Sequence, residues 1–201
     1  MIIILFDNGH GENTPGKRSP DGKFLEYLYA REVAQECARR LRSEGYNAVC
    51  IVRESIDVPL SERVKRVNEY CKEYGAKNVV LISVHVNAAG KGDKWMNSRG
   101  FSVYTSKGKT KSDDLATMLY IKGADNFTGQ TLRKEFSDGD PDWEDNFSML
   151  QKTKCAAVIT ENFFMDNEQD VAYLESKEGK EAIINTHVQA IIEYVKKYGK
   201  G

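Results

Sequence analysis

Val79-Val80-Leu81-Ile82-Ser83-Val84-His85-Val86-Asn87 decides the fold of this chain. It opens on four aliphatic residues with no charge among them, the kind of run that suits a strand buried on both faces of a parallel sheet. A histidine then arrives as the apolar stretch gives out. The same layout occurs twice more: Ile2-Ile3-Ile4-Leu5-Phe6 leads into Asp7-Asn8-Gly9-His10-Gly11, and Ala156-Ala157-Val158-Ile159 leads into Thr160-Glu161-Asn162. In an open α/β sheet the usual ligand site is the crevice at the carboxyl ends of the strands. His10, His85 and Glu161 are therefore expected to share one site although they lie far apart in sequence.

Helical patterns separate these runs. Ala30, Val33, Ala34, Cys37, Ala38 and Leu41 recur at helical spacing between Leu25 and Glu44, and Gly45 stops that helix. Tyr46 to Val52 reads as a second strand, and Leu60, Val64, Val67 and Cys71 mark a second helix closed by Gly75. After the His85 strand, a polar loop from Ala88 to Arg99 leads into a strand over Phe101 to Thr105, and Asp114 to Ala124 reads as a helix. Asn126 to Asn146 breaks both periods, above all in Asp138-Gly139-Asp140-Pro141-Asp142-Trp143-Glu144-Asp145, and reads as a loop near the site or at the surface. The Glu161 strand and a long last helix, with Ile184, Val188, Ile191 and Val195 on one stripe, complete the pattern. This alternation predicts an α/β sandwich: one domain over residues 1–201, with a mixed or mainly parallel twisted sheet flanked by helices and the site at the strands' C-terminal ends.

A chain of 201 residues with 40% hydrophobic residues can bury one good core. Its 29 basic residues stand against 30 acidic ones, for a formal charge of −1, so there is no broad field to gather nucleic acid or anionic lipid. No nucleic-acid partner is expected. No stretch approaches the ~18 apolar residues that span a bilayer, so no membrane insertion is expected either. The apolar start lacks a basic leader and is shorter than the roughly 7–15 residues of a signal-peptide core, and it reads as a strand. Cys37, Cys50, Cys71 and Cys155 show no Cys-x-x-Cys spacing, lie within apolar patterns and read as free thiols.

Asp7-Asn8-Gly9-His10-Gly11, the helix-opening Glu26, Ser83-Val84-His85-Val86-Asn87-Ala88 and Glu161-Asn162-Phe163-Phe164-Met165-Asp166-Asn167, taken in this order, resemble the zinc-dependent N-acetylmuramoyl-L-alanine amidases of the amidase-3 family, which hydrolyse peptidoglycan. Pro59-Leu60-Ser61-Glu62-Arg63 resembles the family's helix after strand two, and Gly100-Phe101-Ser102-Val103-Tyr104 its middle strand. The resemblance implies one Zn2+ per chain, held by His10, Glu26 and His85. It implies Glu161 as the catalytic carboxylate that takes the proton of a water and returns it to the leaving nitrogen. Peptidoglycan is then the partner, and the bond cleaved is the amide between N-acetylmuramic acid and L-alanine. The place of action is the bacterial cell wall, periplasmic or extracellular, reached as a trimmed mature form or by phage-type release from the cytoplasm. The chain departs from the family pattern at Asn8, where proline is usual, at Glu12, where glycine is usual, and at Thr160, where an apolar residue is usual. None of these is an expected ligand or base.

The chemistry agrees with those residue types. Hydrolysing an amide at neutral pH needs a nucleophile stronger than free water and a charge to stabilise the oxyanion. Zinc on two histidines and a carboxylate, with its fourth position open to a water of pKa near 7, supplies both. Glu26 alone reads as a first-turn glutamate favoured by the helix dipole, and its ligand role rests on the resemblance. Glu161, at the end of a buried strand, must be paired or functional. His187 flanks the apolar stripe of the last helix and reads as structural. Arg63 and Asn87 read either as orienting groups or as a salt bridge and a loop cap.

Two other functions fit the same residues less well. A zinc carboxypeptidase-like peptidase would need an arginine for the terminal carboxylate, for which Arg99 and Arg133 are the candidates. A catalytically silent peptidoglycan-binding module would have no use for an unpaired base. Two further motifs fail on their own terms. Gly108-Lys109-Thr110 lacks the first glycine of a phosphate loop, which would fall at Val103, and Asp138, Asp140 and Asp142 lack the glycine and bidentate glutamate of a calcium loop, whose places Trp143 and Met149 occupy.

Overall fold

The three apolar runs become the middle of one sheet in the computed structural model, which describes residues 1–137 and 139–199. Strands β1 (Ile3–Asn8), β2 (Asn47–Cys50), β3 (Val79–Asn87), β4 (Ser102–Thr105), β5 (Trp143–Glu144) and β6 (Ala156–Phe164) lie in the order β2-β1-β3-β6-β4-β5. β1 pairs in parallel with β2 and β3, and β3 with β6, whereas β4 is antiparallel to β6 and β5 runs parallel to β4. The sheet is therefore mixed. The strands that carry His10, His85 and Glu161 are immediate neighbours, and their carboxyl ends share one edge.

Successive side chains on a strand face opposite ways, so each central strand serves two layers. Ile4, Phe6, Val80, Ile82 and Val158 pack with Val33 and Ala34 of α1 (Glu26–Ser43), Leu115 and Leu119 of α3 (Lys111–Asn126), and Ile184 and Ile191 of α6 (Lys177–Tyr198). On the other face, Ile3, Leu5, Leu81, Ala157 and Ile159 pack with Val67 and Cys71 of α2 (Leu60–Tyr74) and with Met149 and Leu150 of α4 (Ser148–Gln151). Burial on both faces explains why these runs lack a polar alternation. By strand parity His85 and Glu161 belong to the second face, continuing the Leu81-Ser83 and Ala157-Ile159 rows. That layer is thin, since α4 is one turn of four residues.

Local capping chemistry accounts for two differences from the sequence pattern, whereas β2 is simply shorter, Asn47–Cys50 in place of Tyr46 to Val52. α3 begins at Lys111 rather than Asp114 because Thr110 accepts a hydrogen bond from the Ser112 amide at 3.0 Å while Asp113 accepts one from the Thr110 amide, a capping box. A further helix, α5 (Glu168–Glu175), is too short for its period to mark it in the sequence; Asn167 caps it by accepting from the amides of Gln169 and Asp170. After Asn126, which ends α3, the described residues up to Asn146 are irregular apart from a bridge of Leu132 to Phe101 and β5, which extends the sheet edge beside Tyr104 and Thr105. Asp142 anchors it by accepting from Thr105 Oγ1 at 2.6 Å, and burial, reinforced by the neighbouring Asp140, pushes its carboxyl up to about 8. Asp138 of the acidic run lies outside the described residues. The four cysteines are free, and among the described residues no helix is long and apolar enough to cross a membrane.

Candidate metal centre

His85 and Glu161 are register partners on β3 and β6, so they stand side by side. β1 ends one residue before Gly9, whose amide still donates to Val84 O at 3.0 Å and brings the loop back over β3. Only glycine fits at two points of this loop. A Cβ at Gly9 would lie 2.3 Å from the His85 ring, and one at Gly11 2.0 Å from the Asp57 backbone nitrogen. Between them His10 adopts a left-handed conformation, φ 59°, which costs a side-chain-bearing residue roughly 1–3 kcal/mol and needs support from its surroundings.

Two arginines supply that support. Arg31 and Arg63 donate to His10 O at 3.0 and 3.2 Å. Arg63 is buried and also donates to Val58 O, Asp7 Oδ1, Asn8 O and Asp57 Oδ1 at 2.6–2.9 Å, while the other Asp7 oxygen accepts from Ser83 Oγ. Arg63 is thus a buried ion pair that shapes the His10 loop, and Asn87 is a loop cap that accepts from the Ala88 amide.

Glu26 enters from the first turn of α1, fully buried. Its Oε1 accepts from the Val86 amide at 3.0 Å and lies 3.1 Å from His85 Nδ1 and 3.5 Å from His10 Nε2. Its Oε2 has no hydrogen-bond partner among the described residues and sits 3.9 Å from Lys17 Nζ. One donor atom from each of His10, Glu26 and His85 lies within 4.8 Å of the others. Two imidazoles and a carboxylate with a spare buried oxygen fit a divalent cation of the zinc type. Ligands must be deprotonated, and two of the three groups already lean that way. Burial, against the pull of Glu26, lowers His10 to about 4. Burial would raise Glu26, but the His85 hydrogen bond and the two histidine charges outweigh it and lower its pKa. Burial would lower His85, but the Glu26 hydrogen bond and charge outweigh it and raise its pKa, so a cation would have to displace that proton.

Glu161 faces a cavity of about 230 Å³ whose apolar wall is Leu60, Phe147, Met149 and Ile159. Its Oε2 is buried without a hydrogen-bond partner among the described residues. Burial, and then the negative charge of Glu26, raise it to about 7 against the opposing pull of His85. Next to it the Asn162 side chain donates to His85 O at 2.9 Å, pinning β3 where its register with β6 shifts.

Residues 4–193 match the family model described as N-acetylmuramoyl-L-alanine amidase, Amidase_3. The chain belongs to this family. Amidase AmiC of Neisseria meningitidis serogroup B is 31% identical over 112 residues, which are 55% of this chain and 24% of that protein. Amidase CwlM of Bacillus licheniformis is 26% identical over 199 residues, covering 95% of this chain and 68% of that one. The chain thus spans about a quarter of the first relative and two thirds of the second. The crystal structure of an N-acetylmuramoyl-L-alanine amidase from Clostridium difficile 630 superposes with a TM-score of 0.81 at 20% identity, covering 100% of this chain and 98% of that chain, and shares the fold.

Against the amidase pattern, the departure at Thr160 has a local cause. Thr160 Oγ1 lies 3.0 Å from His187 Nε2, whose Nδ1 in turn lies 2.8 Å from Ile183 O, so the threonine completes a buried polar pair on the face away from the cavity. Glu12 reaches the surface, where Ser55 Oγ donates to it. Neither arginine proposed for a carboxypeptidase lines the cavity: Arg99 is engaged with Gln130, Gln169 and Asp170, and Arg133 lies between the Trp143 and Phe164 rings. The sequence reading missed Lys17 and the Leu60 and Phe147 walls. Lys17 sits in an irregular loop with no periodicity to mark it, and Phe147 follows the stretch that breaks both periods.

Proposed function

We propose that this chain is a zinc-dependent N-acetylmuramoyl-L-alanine amidase, with residues 1–201 acting as one catalytic domain at the bacterial cell wall on peptidoglycan. The observation that carries the reading is the convergence of His10, Glu26 and His85 donor atoms within 4.8 Å beside the half-buried Glu161, in a chain of this family. His10, Glu26 and His85 would hold one zinc ion, which when bound supplies Lewis acidity towards the lactyl carbonyl and towards a water.

The protein's own groups do the rest. Glu161 Oε2, with no hydrogen-bond partner among the described residues, takes the proton of the attacking water, and the resulting acid returns it to the L-alanine nitrogen so that a neutral amine leaves. A carboxyl raised to about 7 is matched to both halves of that exchange near neutral pH. Arg31 and Arg63 keep His10 in its left-handed pose, and Asn162 holds the His85 backbone, so the donors are preorganised. Leu60, Phe147 and Met149 give the cavity one apolar side. Digestion of purified cell wall tests the reading. New L-alanine amines are expected, whereas new sugar reducing ends, free terminal amino acids or no new chain ends would overturn it.

A further inference from the structure

One charged side chain of the cavity has no part in that chemistry. Lys17 lies in the loop between β1 and α1, and its backbone is fixed there, because the Glu26 amide donates to Lys17 O at 3.1 Å while the adjacent Arg18 bridges to Leu25. Its side chain turns inward to line the cavity beside His10 and Glu161. It is the one lysine or arginine among the described residues lining that space. At 3.9 Å from Glu26 Oε2 its ammonium is within ion-pair range but beyond a hydrogen bond, and it remains 37% exposed to solvent. Three N–H donors therefore face the cavity without a committed acceptor.

The charge balance of a metal-loaded site points the same way. A divalent cation would draw on the Glu26 carboxylate that now faces Lys17, and two positive centres would then stand at one end of the cavity. The group that complements them is an anion on the substrate. The opposite wall, where Leu60 and Phe147 are 55% and 39% exposed, takes alkyl groups instead.

We infer that Lys17 recognises a substrate carboxylate close to the scissile amide, on its peptide side, and so makes this site selective among stem peptides. The inference rests on the amidase reading above. In a stem peptide the first free carboxylate after the L-alanine belongs to the second residue, a glutamate joined through its side chain, whose α-carboxyl some walls leave free and others amidate. Lys17 pairs with the free form by charge-assisted hydrogen bonds and gains far less from the carboxamide.

The test uses two soluble muramyl peptides that differ only in a carboxylate or a carboxamide at that glutamate, with the zinc-loaded full chain and its Lys17→Met and Lys17→Arg variants. The parent is expected to show a KM about tenfold lower for the carboxylate. Lys17→Met should lose that preference with kcat and zinc content unchanged, and Lys17→Arg should retain most of it. Calorimetric binding of both peptides to Glu161→Gln, with and without Lys17→Met, reads the same contact without turnover. A parent that cleaves neither peptide would sink the amidase reading, and the binding pair would still judge Lys17. No discrimination by the parent, an equal fall in kcat on both peptides in Lys17→Met, or loss of zinc in that variant would overturn the inference.

Discussion

Thr160 and Glu161 are adjacent in β6, point to opposite faces, and differ in how their surroundings treat a buried polar group. On the Thr160 side the polar pair is complete. Both His187 nitrogens have a partner, Thr160 Oγ1 and Ile183 O, and burial lowers His187 to about 4 so that it stays neutral. On the Glu161 side the Oε2 atoms of both Glu161 and Glu26 are buried without a hydrogen-bond partner among the described residues. Folded proteins pair the great majority of buried polar atoms, so a completed pair reads as structure and a cluster of uncompleted ones reads as a place for something that arrives. Burial alone does not separate the two, since Glu26 and His187 are equally buried.

The largest expected effect separates these neighbours. Glu161→Gln keeps the shape but cannot accept a proton, and release of L-alanine amines from cell wall should fall by about 10²–10⁴-fold. Thr160→Val, one residue away on the other face, should stay within a few-fold of the parent. Equal losses in both would erase the distinction between the faces.

The next effect concerns the scaffold under His10. Arg63→Met leaves Asp7 as a buried carboxylate without its cation, a change that typically costs about 3–5 kcal/mol. A large drop in the denaturant midpoint is expected, together with weakened metal binding as the His10 loop loses one of its two grips. A midpoint shift worth under about 1 kcal/mol, the scale of an exposed pair, would place Arg63 outside the supporting framework.

His187 gives a pH signature to the completed side. Its folded pKa of about 4 lies below the ordinary 6.5, so between those values the unfolded chain holds a proton that the folded chain does not. Stability therefore falls as pH drops through that window, by up to about 3 kcal/mol, and levels off below the folded pKa. His187→Gln, which does not titrate, should melt with a flatter acid profile than the parent. His10 carries the same sign but is present in both proteins, so the difference isolates His187. Superimposable profiles would mean that His187 is not held neutral.

Much of this was legible in the sequence. Val79–Ile82, Ile2–Phe6 and Ala156–Ile159 announced the central strands because both faces are buried, and His10, His85 and Glu161 stood out because ionisable residues at the ends of such runs need a reason. Glu26 was legible only through the family resemblance, since a first-turn glutamate is ordinary chemistry. The antiparallel direction of β4 was beyond reach, as a short strand's pattern does not record its orientation. The start of α3 and the existence of α5 were written in Thr110-x-x-Asp113 and in Asn167, but short elements give the helical period too few turns to register. The roles of Arg63 and Lys17 depend on where loops return in space, which no local period encodes.

Metal binding tests the central claim most directly. The parent chain, titrated with zinc and then freed of excess, should retain one ion per chain, and His187→Gln should retain the same. His10→Ala and His85→Ala, each losing one of three donors, should retain little. Full occupancy in either of those two variants, or loss of zinc from a folded His187→Gln protein, would contradict the assignment of the uncompleted cluster as the metal centre.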